Sequence, residues 1–331
     1  MSEWMIRLEE GGGRSRHHGW ILYEAQERGI NMHYIDLYRK ACEQYGMSVK
    51  FGICQECEKN QPESGSMQCT AYEAGGLAKA ARITDAVEHD RPSYVINRTR
   101  DYRLAGLLEG RGIPVFNCAE LTELGNDKAK AYRYMQQRAV PVMPVVYHAD
   151  TEPPWYPAVI KSCAGHGGSE VYLVRNSEEY RSWHSHIRRN TCRYIMQQAA
   201  SDLGKDVRVY IVGNRITAGV LRTSQTDFRS NYCLGGQVRL YELSFKEREL
   251  VMRVTDGLDI GMAGIDFIFH HGRMVFNEIE DAAGARALYT LTDYDLVEDF
   301  VGCICSRISV KTERKSGTAY KMPYRRPDQN Q

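Results

Sequence analysis

The stretch from Ala263 to Leu288, AGIDFIFHHGRMVFNEIEDAAGARAL, constrains this chain most. It reads as two strands joined by a short turn, and strand alternation decides which side chains share a face. Ile265, Phe267 and Phe269 fall on one face and Asp266 on the other. In the second strand Val275, Asn277 and Ile279 share a face, which leaves Glu278 and Glu280 together opposite them. Carboxylates at i and i+2 of a strand stand roughly 6 to 7 Å apart. That gap suits a pair of hard cations, or one cation chelated from two sides, with Asp266 closing the site from the neighbouring strand. Three carboxylates on otherwise apolar strands repel one another and are costly to bury unless something positive neutralises them. Magnesium, which usually arrives with substrate phosphates, is the obvious candidate. The plain alternative is the solvated face of an edge hairpin.

A chain of 331 residues exceeds one small core, and two or three domains are expected. A hydrophobic fraction of 43% and a charged fraction of 26% are those of an ordinary soluble protein. The formal net charge of +1 implies no nucleic-acid partner. No apolar run approaches the ~20 residues that span a bilayer, so no membrane association is expected. MSEWMIRLEEGGGRSRHHG lacks the apolar core of a signal peptide, which predicts a cytoplasmic protein with reduced thiols. Cys54 and Cys57 form a CxxC followed by Cys69, but no second CxxC or histidine pair stands at ligand spacing. Cys303 and Cys305 lie on an expected helix as core or boundary residues.

In chain order, residues 1–18 carry a triple glycine and several charges and read as a flexible lead-in. From 19 to 125 strands alternate with helices: GWILYE, a helix around Met32 to Tyr45, MSVKFGI, a polar loop at 56–67 and a helix at 74–89. SYVINR, a helix at 101–110 and IPVFN follow. That order predicts a small parallel sheet covered by helices. No GxGxxG follows the first strand, so a dinucleotide site is not supported and the sheet is expected to wall a substrate cleft. At Asn126 a capped helix begins, followed by a strand at 142–147 and YPAVIKSCAGHGGSEVYLV. Lys161 precedes the glycines there, the reverse of a Walker A loop, so the segment reads as a glycine-rich hairpin able to close over phosphates. A plain turn is the alternative. A helix at 180–189, a strand at 193–200 and a long hairpin turning at Gly213-Asn214 come next, with Asp206, Arg208 and Tyr210 on one face. Two more helices, around 250–258 and 297–308, flank the carboxylate hairpin, and the residues from 311 to 331 read as a disordered tail.

The ordered motifs are DK at 127–128, VIK at 159–161, GHGGS at 165–169, KDVR at 205–208, DFRSN at 227–231, GID at 264–266 and NEIE at 277–280. This set resembles the ATP-grasp superfamily, and within it the RimK-like carboxylate-amine ligases of the α-L-glutamate type. The resemblance runs through motifs over roughly 126–308 and through the preceding β/α domain alone over 19–125.

The resemblance implies an ATP-grasp fold of α/β class, α+β in its catalytic part. Two α+β subdomains, a lid over 126–200 and a metal-bearing part over 201–310, would clamp ATP behind a small pre-ATP-grasp domain. Lys128 and Lys161 then match lysines that hold phosphates, and Gly165, Gly167, Gly168 and Ser169 the flap above them. Gln198 and Ala199 match the adenine-holding hinge, Asp206 a position near the ribose, and Arg229, Ser230 and Asn231 the loop touching phosphate and the incoming carboxylate. Asp266, Glu278 and Glu280 match ligands of magnesium (or manganese), two ions in all. Arg208 and Arg229 would supply catalytic positive charge to the transferring phosphoryl group.

Three positions depart from the family pattern. Gln198 replaces a glutamate, Glu280 an asparagine, and DAAGARALY a Ser-Pro-Gly-Leu-Glu pattern. In that last stretch Arg286 could meet a substrate carboxylate or form an internal ion pair. The implied reaction activates a carboxylate as an acyl phosphate and joins it to the amine of an amino acid or peptide terminus, with release of ADP and phosphate. A non-catalytic nucleotide-binding regulator and an ATP-grasp small-molecule kinase are the alternatives; substrate identity and homo-oligomer formation stay open.

Overall fold

The computed structural model describes residues 3–9, 15–57, 81–147, 151–165, 170–187, 193–230 and 236–316. Its first part holds β1 (Glu3–Leu8), β2 (His17–Glu24), α1 (Arg28–Gln44), β3 (Met47–Cys57), β4 (Ala81–Arg82) and α2 (Ile83–Asp90). β5 (Tyr94–Asn97), α3 (Tyr102–Glu109), β6 (Val115–Phe116) and α4 (Ala119–Asn126) complete it. Next come α5 (Lys128–Gln137), β7 (Val145–Val146), β8 (Ala158–Ser162), β9 (Val171–Val174), α6 (Ser177–Ile187) and β10 (Tyr194–Gln198). The last part holds β11 (Asp202–Val212), β12 (Arg215–Thr223), β13 (Gln237–Leu240), α7 (Phe245–Thr255), β14 (Met262–His270), β15 (Arg273–Glu280), α8 (Arg286–Leu291) and α9 (Leu296–Ser316).

Three sheets result. The six-stranded sheet runs β4-β1-β3-β2-β5-β6, in which β3, β2, β5 and β6 are parallel, as β/α alternation requires. β1 and β4 add an antiparallel edge. The expected flexible lead-in is therefore corrected over residues 3–8: Trp4 and Ile6 are apolar at alternate positions and bury against Trp20, Leu22 and Cys54. The expected helix at 74–89 starts only at Ile83; residues 81–82 pair with β1, and 58–80, with Cys69, lie outside the described residues. At the other end α9 continues to Ser316, beyond the expected tail boundary at 311, because residues 311–316 hold neither glycine nor proline. Among the described residues no helix is long and apolar enough to cross a membrane.

A four-stranded sheet, β7-β10-β8-β9, and a five-stranded antiparallel sheet, β13-β12-β11-β14-β15, face each other across a cleft. Both tight hairpins of the larger sheet turn on residues in the left-handed region, Gly213 (φ 56°) with Asn214 (φ 64°), and His271 (φ 49°) with Gly272 (φ 71°). Two-residue turns need this backbone, which glycine and asparagine adopt at little cost. One core unites α5 and α7 with Val207, Val209, Ile265, Phe267 and Phe276 of the larger sheet. A second joins α1, α9 and the first sheet to Tyr210, Val212 and Met262, so the first domain packs directly on the five-stranded sheet.

Toward the amino-terminal ends of β2 and β3 one half-buried acid ties the first sheet to α2. Asp90 accepts from Trp20 Nε1 at 2.7 Å, from Lys50 Nζ at 2.5 Å and pairs with His18 Nε2 at 2.7 Å. Burial alone would raise its carboxyl, and these three bonds outweigh it and hold the group at about 2. A depressed acid stabilises the fold fully above its unfolded value near 3.8 and loses that contribution as pH falls toward 2. Asp90→Asn is expected to lower stability at pH 7 by about 1–2 kcal/mol after allowance for screening, and to flatten the loss between pH 4 and 2. Urea titrations of both proteins across that range check it.

Candidate active site

Register in the five-stranded sheet stacks charged side chains on one face. Asp206 sits across from Arg222, Arg208 across from Asp266, and Asp266 across from Glu278. Arg208 donates to both oxygens of Asp266 at 2.7 Å each and extends to Glu280 at 2.7 Å. Arg222 donates to both oxygens of Asp206, at 2.7 and 2.6 Å, and to Asp266 at 2.7 Å. Gly264 leaves the path open: a Cβ there would stand 3.2 Å from Arg208 Cδ. Burial alone would drive the Asp266 carboxyl up, and the two guanidiniums outweigh it and hold it at about 2, so this acid stays ionised.

Asp266, Glu278 and Glu280 present carboxylate oxygens within 4.8 Å of one another. Asp266 is buried, while Glu278 and Glu280 stay 28% and 33% exposed along the cleft. Hard oxygen donors clustered at this separation fit a divalent cation. The hairpin alternation predicted for β15 is corrected by a bulge. Asp266 faces Glu278 but Phe267 faces Phe276, which leaves Asn277 as the extra residue. Phe276 and Ile279 therefore both enter the core, whereas Val275 packs on the opposite side with Met143 and Ala200. Asn277 turns to the cleft, where its Oδ1 accepts from Lys161 Nζ at 2.6 Å.

The two lysines come from different elements. Lys161, on β8, is buried, and its Nζ also donates to Tyr132 Oη at 3.3 Å. Tyr132 is itself fixed, donating to the Asn277 carbonyl at 2.7 Å and accepting from Gln197 at 3.0 Å. Burial pushes the Lys161 ammonium down to about 8, against the attraction of Glu278. Lys128 opens α5 behind the cap Asp127; its Nζ donates to the Gly165 carbonyl at 2.6 Å and lies 3.6 Å from Glu278. Asp127 at the cap is what fixes where α5, and so Lys128, begins.

These groups line a cleft of about 310 Å³. One end is bounded by Val159, Gln198, Leu203 and Ile268, and the other by Gly125, Asn126, Asp281 and Arg100. Of the expected site residues, Lys128, Lys161, Gly165, Gln198, Asp206, Arg229, Ser230, Glu278 and Glu280 line it. Arg208 and Asp266 stand behind the wall, in the ion-pair ladder. Arg229 is held by Asp227, with Nη2 at 2.7 Å from Oδ2. Gly167, Gly168, Ser169 and Asn231 lie outside the described residues.

Three expectations change. Both Asp206 oxygens are committed to Arg222, so it serves as a counter-charge in the ladder rather than as a group free for a ribose. The amides of Gln198 and Ala199 already donate to the Pro144 and Pro157 carbonyls, so neither hinge amide is open to a ligand. Arg286 is exposed at the start of α8 and does not line the cleft. Arg100, Arg222, Asn277 and Asp281 were not singled out from sequence. Asn277 and Asp281 flank the glutamate motif, which was the available signal, whereas nothing local marks Arg100 or Arg222.

Comparisons with known proteins bear on the family and the fold. Residues 150–304 match the model of the RimK-like ATP-grasp domain. An uncharacterized protein of Mycoplasma pneumoniae is 33% identical over 199 residues, 59% of this chain and 68% of that protein. A probable α-L-glutamate ligase of Parasynechococcus marenigrum is 25% identical over 292 residues, 82% of this chain and 60% of that protein. A D-alanine–D-alanine ligase from Bacillus anthracis, solved with ATP, superposes with a TM-score of 0.61 at 12% identity, covering 92% of this chain and 100% of that one, which shows the fold. This chain thus carries, over residues 150–304, a RimK-like ATP-grasp domain.

Proposed function

We propose that this protein is an ATP-dependent carboxylate-amine ligase. The observation that carries the reading is a single cleft in which Lys128 and Lys161 face Glu278 and Glu280, with Asp266 held ionised behind them. Positive and negative groups on opposite walls suit a polyphosphate bridged by metal to carboxylates. Similarity to a relative named as an α-L-glutamate ligase supports the same reaction class, with an amino acid such as glutamate or a peptide terminus as amine. Residues 126–200 act as lid and 201–310 as the metal-bearing part, with 19–125 as the preceding domain.

A carboxylate resists attack by an amine because oxide is a poor leaving group. In the first step a substrate carboxylate oxygen bonds to the γ-phosphorus of ATP as the bond to the ADP oxygen breaks. The amine nitrogen then attacks the acyl carbon, the carbon–oxygen bond to phosphate breaks, and the amine proton leaves to solvent. The products are an amide, ADP and phosphate. Asp266, Glu278 and Glu280 would hold magnesium (or manganese), two ions, which neutralises phosphate charge. Lys128 and Lys161 position the phosphates, and Arg229 and Ser230 border the transferring group. Gly165 borders it at the start of the glycine-rich segment, and the Gln198 side chain receives the base. Arg208 acts by fixing Asp266 and Glu280 rather than by touching phosphate.

Glu278→Gln is expected to cut ADP formation by at least about 100-fold while thermal unfolding stays near wild type. Full activity in that variant would remove the metal assignment. Lys161→Met should weaken nucleotide binding about 10- to 100-fold, the range for a charge-assisted bond to phosphate. Bound phosphate favours the charged ammonium, so wild-type affinity should be complete below pH 8 and decline as pH rises through about 8. Calorimetry from pH 7 to 10 should show that decline in wild type and not in the methionine variant. The reaction class itself is tested by metal-dependent ADP and phosphate release over pairs of amino acids and short peptides. Ligation yields a product lighter than the two partners by one water; turnover with a single partner and no amine would indicate a kinase instead.

A further inference from the structure

The parallel strands of the first sheet lie in the order β3-β2-β5-β6, so the chain winds outward in opposite directions from β2 and β5. A crevice opens outside the carboxyl ends of strands at such a switch point, and ligands settle there. β2 ends at Glu24, and Arg98, Thr99 and Arg100 follow β5. Arg98 is buried and donates to the carbonyls of Ala282 and Ala283 at 3.0 and 3.3 Å, which fastens the loop after Glu280 across the crevice. Arg100 is used differently. Its backbone N–H donates to Glu24 at 3.2 Å and one guanidinium nitrogen pairs with Glu27 at 2.8 Å, leaving the side chain 34% exposed on the cleft.

Asp281 lines the same end and is 4% exposed. Its Oδ1 accepts from Asn126 at 3.1 Å, whereas its Oδ2 is buried with no hydrogen-bond partner among the described residues. Gly125 gives it room, since a Cβ there would stand 3.0 Å from Oδ1. A buried carboxylate oxygen without a donor costs free energy that a bound donor would recover. The end of the cleft next to the carboxylate triad thus offers one acceptor-only acid and one guanidinium.

We infer that this end is a subsite for a free amino acid bound as a zwitterion, with Asp281 accepting hydrogen bonds from its ammonium group and Arg100 donating to its carboxylate. The inference rests on the ligase reading and names the amine partner within it. A polyamine would meet Arg100 with like charge, and a dicarboxylate without an amine would meet Asp281 with like charge. A peptide amino terminus would satisfy Asp281 and leave Arg100 without an anion.

The test is equilibrium binding to the full chain saturated with magnesium and a non-hydrolysable ATP analogue. The twenty amino acids are screened by thermal shift and the best by calorimetry, with its N-acetyl and carboxamide derivatives alongside. One or more amino acids should bind saturably, and blocking either end should weaken wild-type binding by about tenfold or more. Asp281→Asn and Arg100→Gln should each cost a similar factor and leave nucleotide affinity within about twofold. Each should also erase the effect of the matching block. Undiminished amino-acid binding in both variants, or wild-type indifference to blocking, overturns the subsite. So does binding of peptides alone, with the ligase reading intact. Failure of the nucleotide analogue to bind would instead overturn the ligase reading itself.

Discussion

The ion-pair ladder of Arg222, Asp206, Arg208 and Asp266 is the interaction on which the rest of this molecule depends. Four charges are withdrawn from water on the central strands, a costly arrangement unless each charge is paired and hydrogen-bonded. Here each of the four oxygens of Asp206 and Asp266 receives at least one of five bonds from two guanidiniums, all between 2.6 and 2.7 Å. Planar forks suit this task where lysine, a point charge, would not. Because Arg208 also reaches Glu280, the ladder carries strand register directly into the position of a cleft carboxylate.

A second constraint crosses between domains. Asn117, buried after β6, accepts from the amides of Gly261 and Met262 and donates to the carbonyls of Met262 and Asp281. Arg98 then takes the carbonyls of Ala282 and Ala283, Tyr210 that of Gly284, and Tyr34 the amide of Ala285. Five consecutive residues beyond Glu280 are thereby held by side chains, three of the four from the first domain. The preceding domain is thus part of the site's construction, since buried backbone groups in such a loop have to find partners somewhere.

Much of the architecture was legible locally. Asp127 marks the start of α5, Gly213-Asn214 the hairpin turn, and the β/α alternation the parallel strands, because caps, turns and periodicity act within a few residues. The errors also have local causes. Residues 3–8 were lost to a glycine-rich neighbourhood although Trp4 and Ile6 alternate. Two bulges lie beyond what strand counting can see. Counting back from the turn pairs Asp206 with Leu221, but the irregularity at Tyr210–Ile211 shifts the register and brings Arg222 opposite instead. The bulge at Asn277 likewise turns that side chain from an expected apolar face toward Lys161.

The sequence by itself determined the chemical inventory, namely the carboxylates of the hairpin, Lys128 and Lys161 and the glycine hairpin. Residue type and short spacing fix what a segment can bind. Tertiary structure alone decided which of those groups are free to act. It committed Asp206 to Arg222, left Arg286 away from the cleft, and brought Arg100 and Asp281 together from positions far apart in the chain. Those outcomes depend on strand register and on the packing of one domain against another, and both are set by the summed burial of many side chains rather than by any one motif.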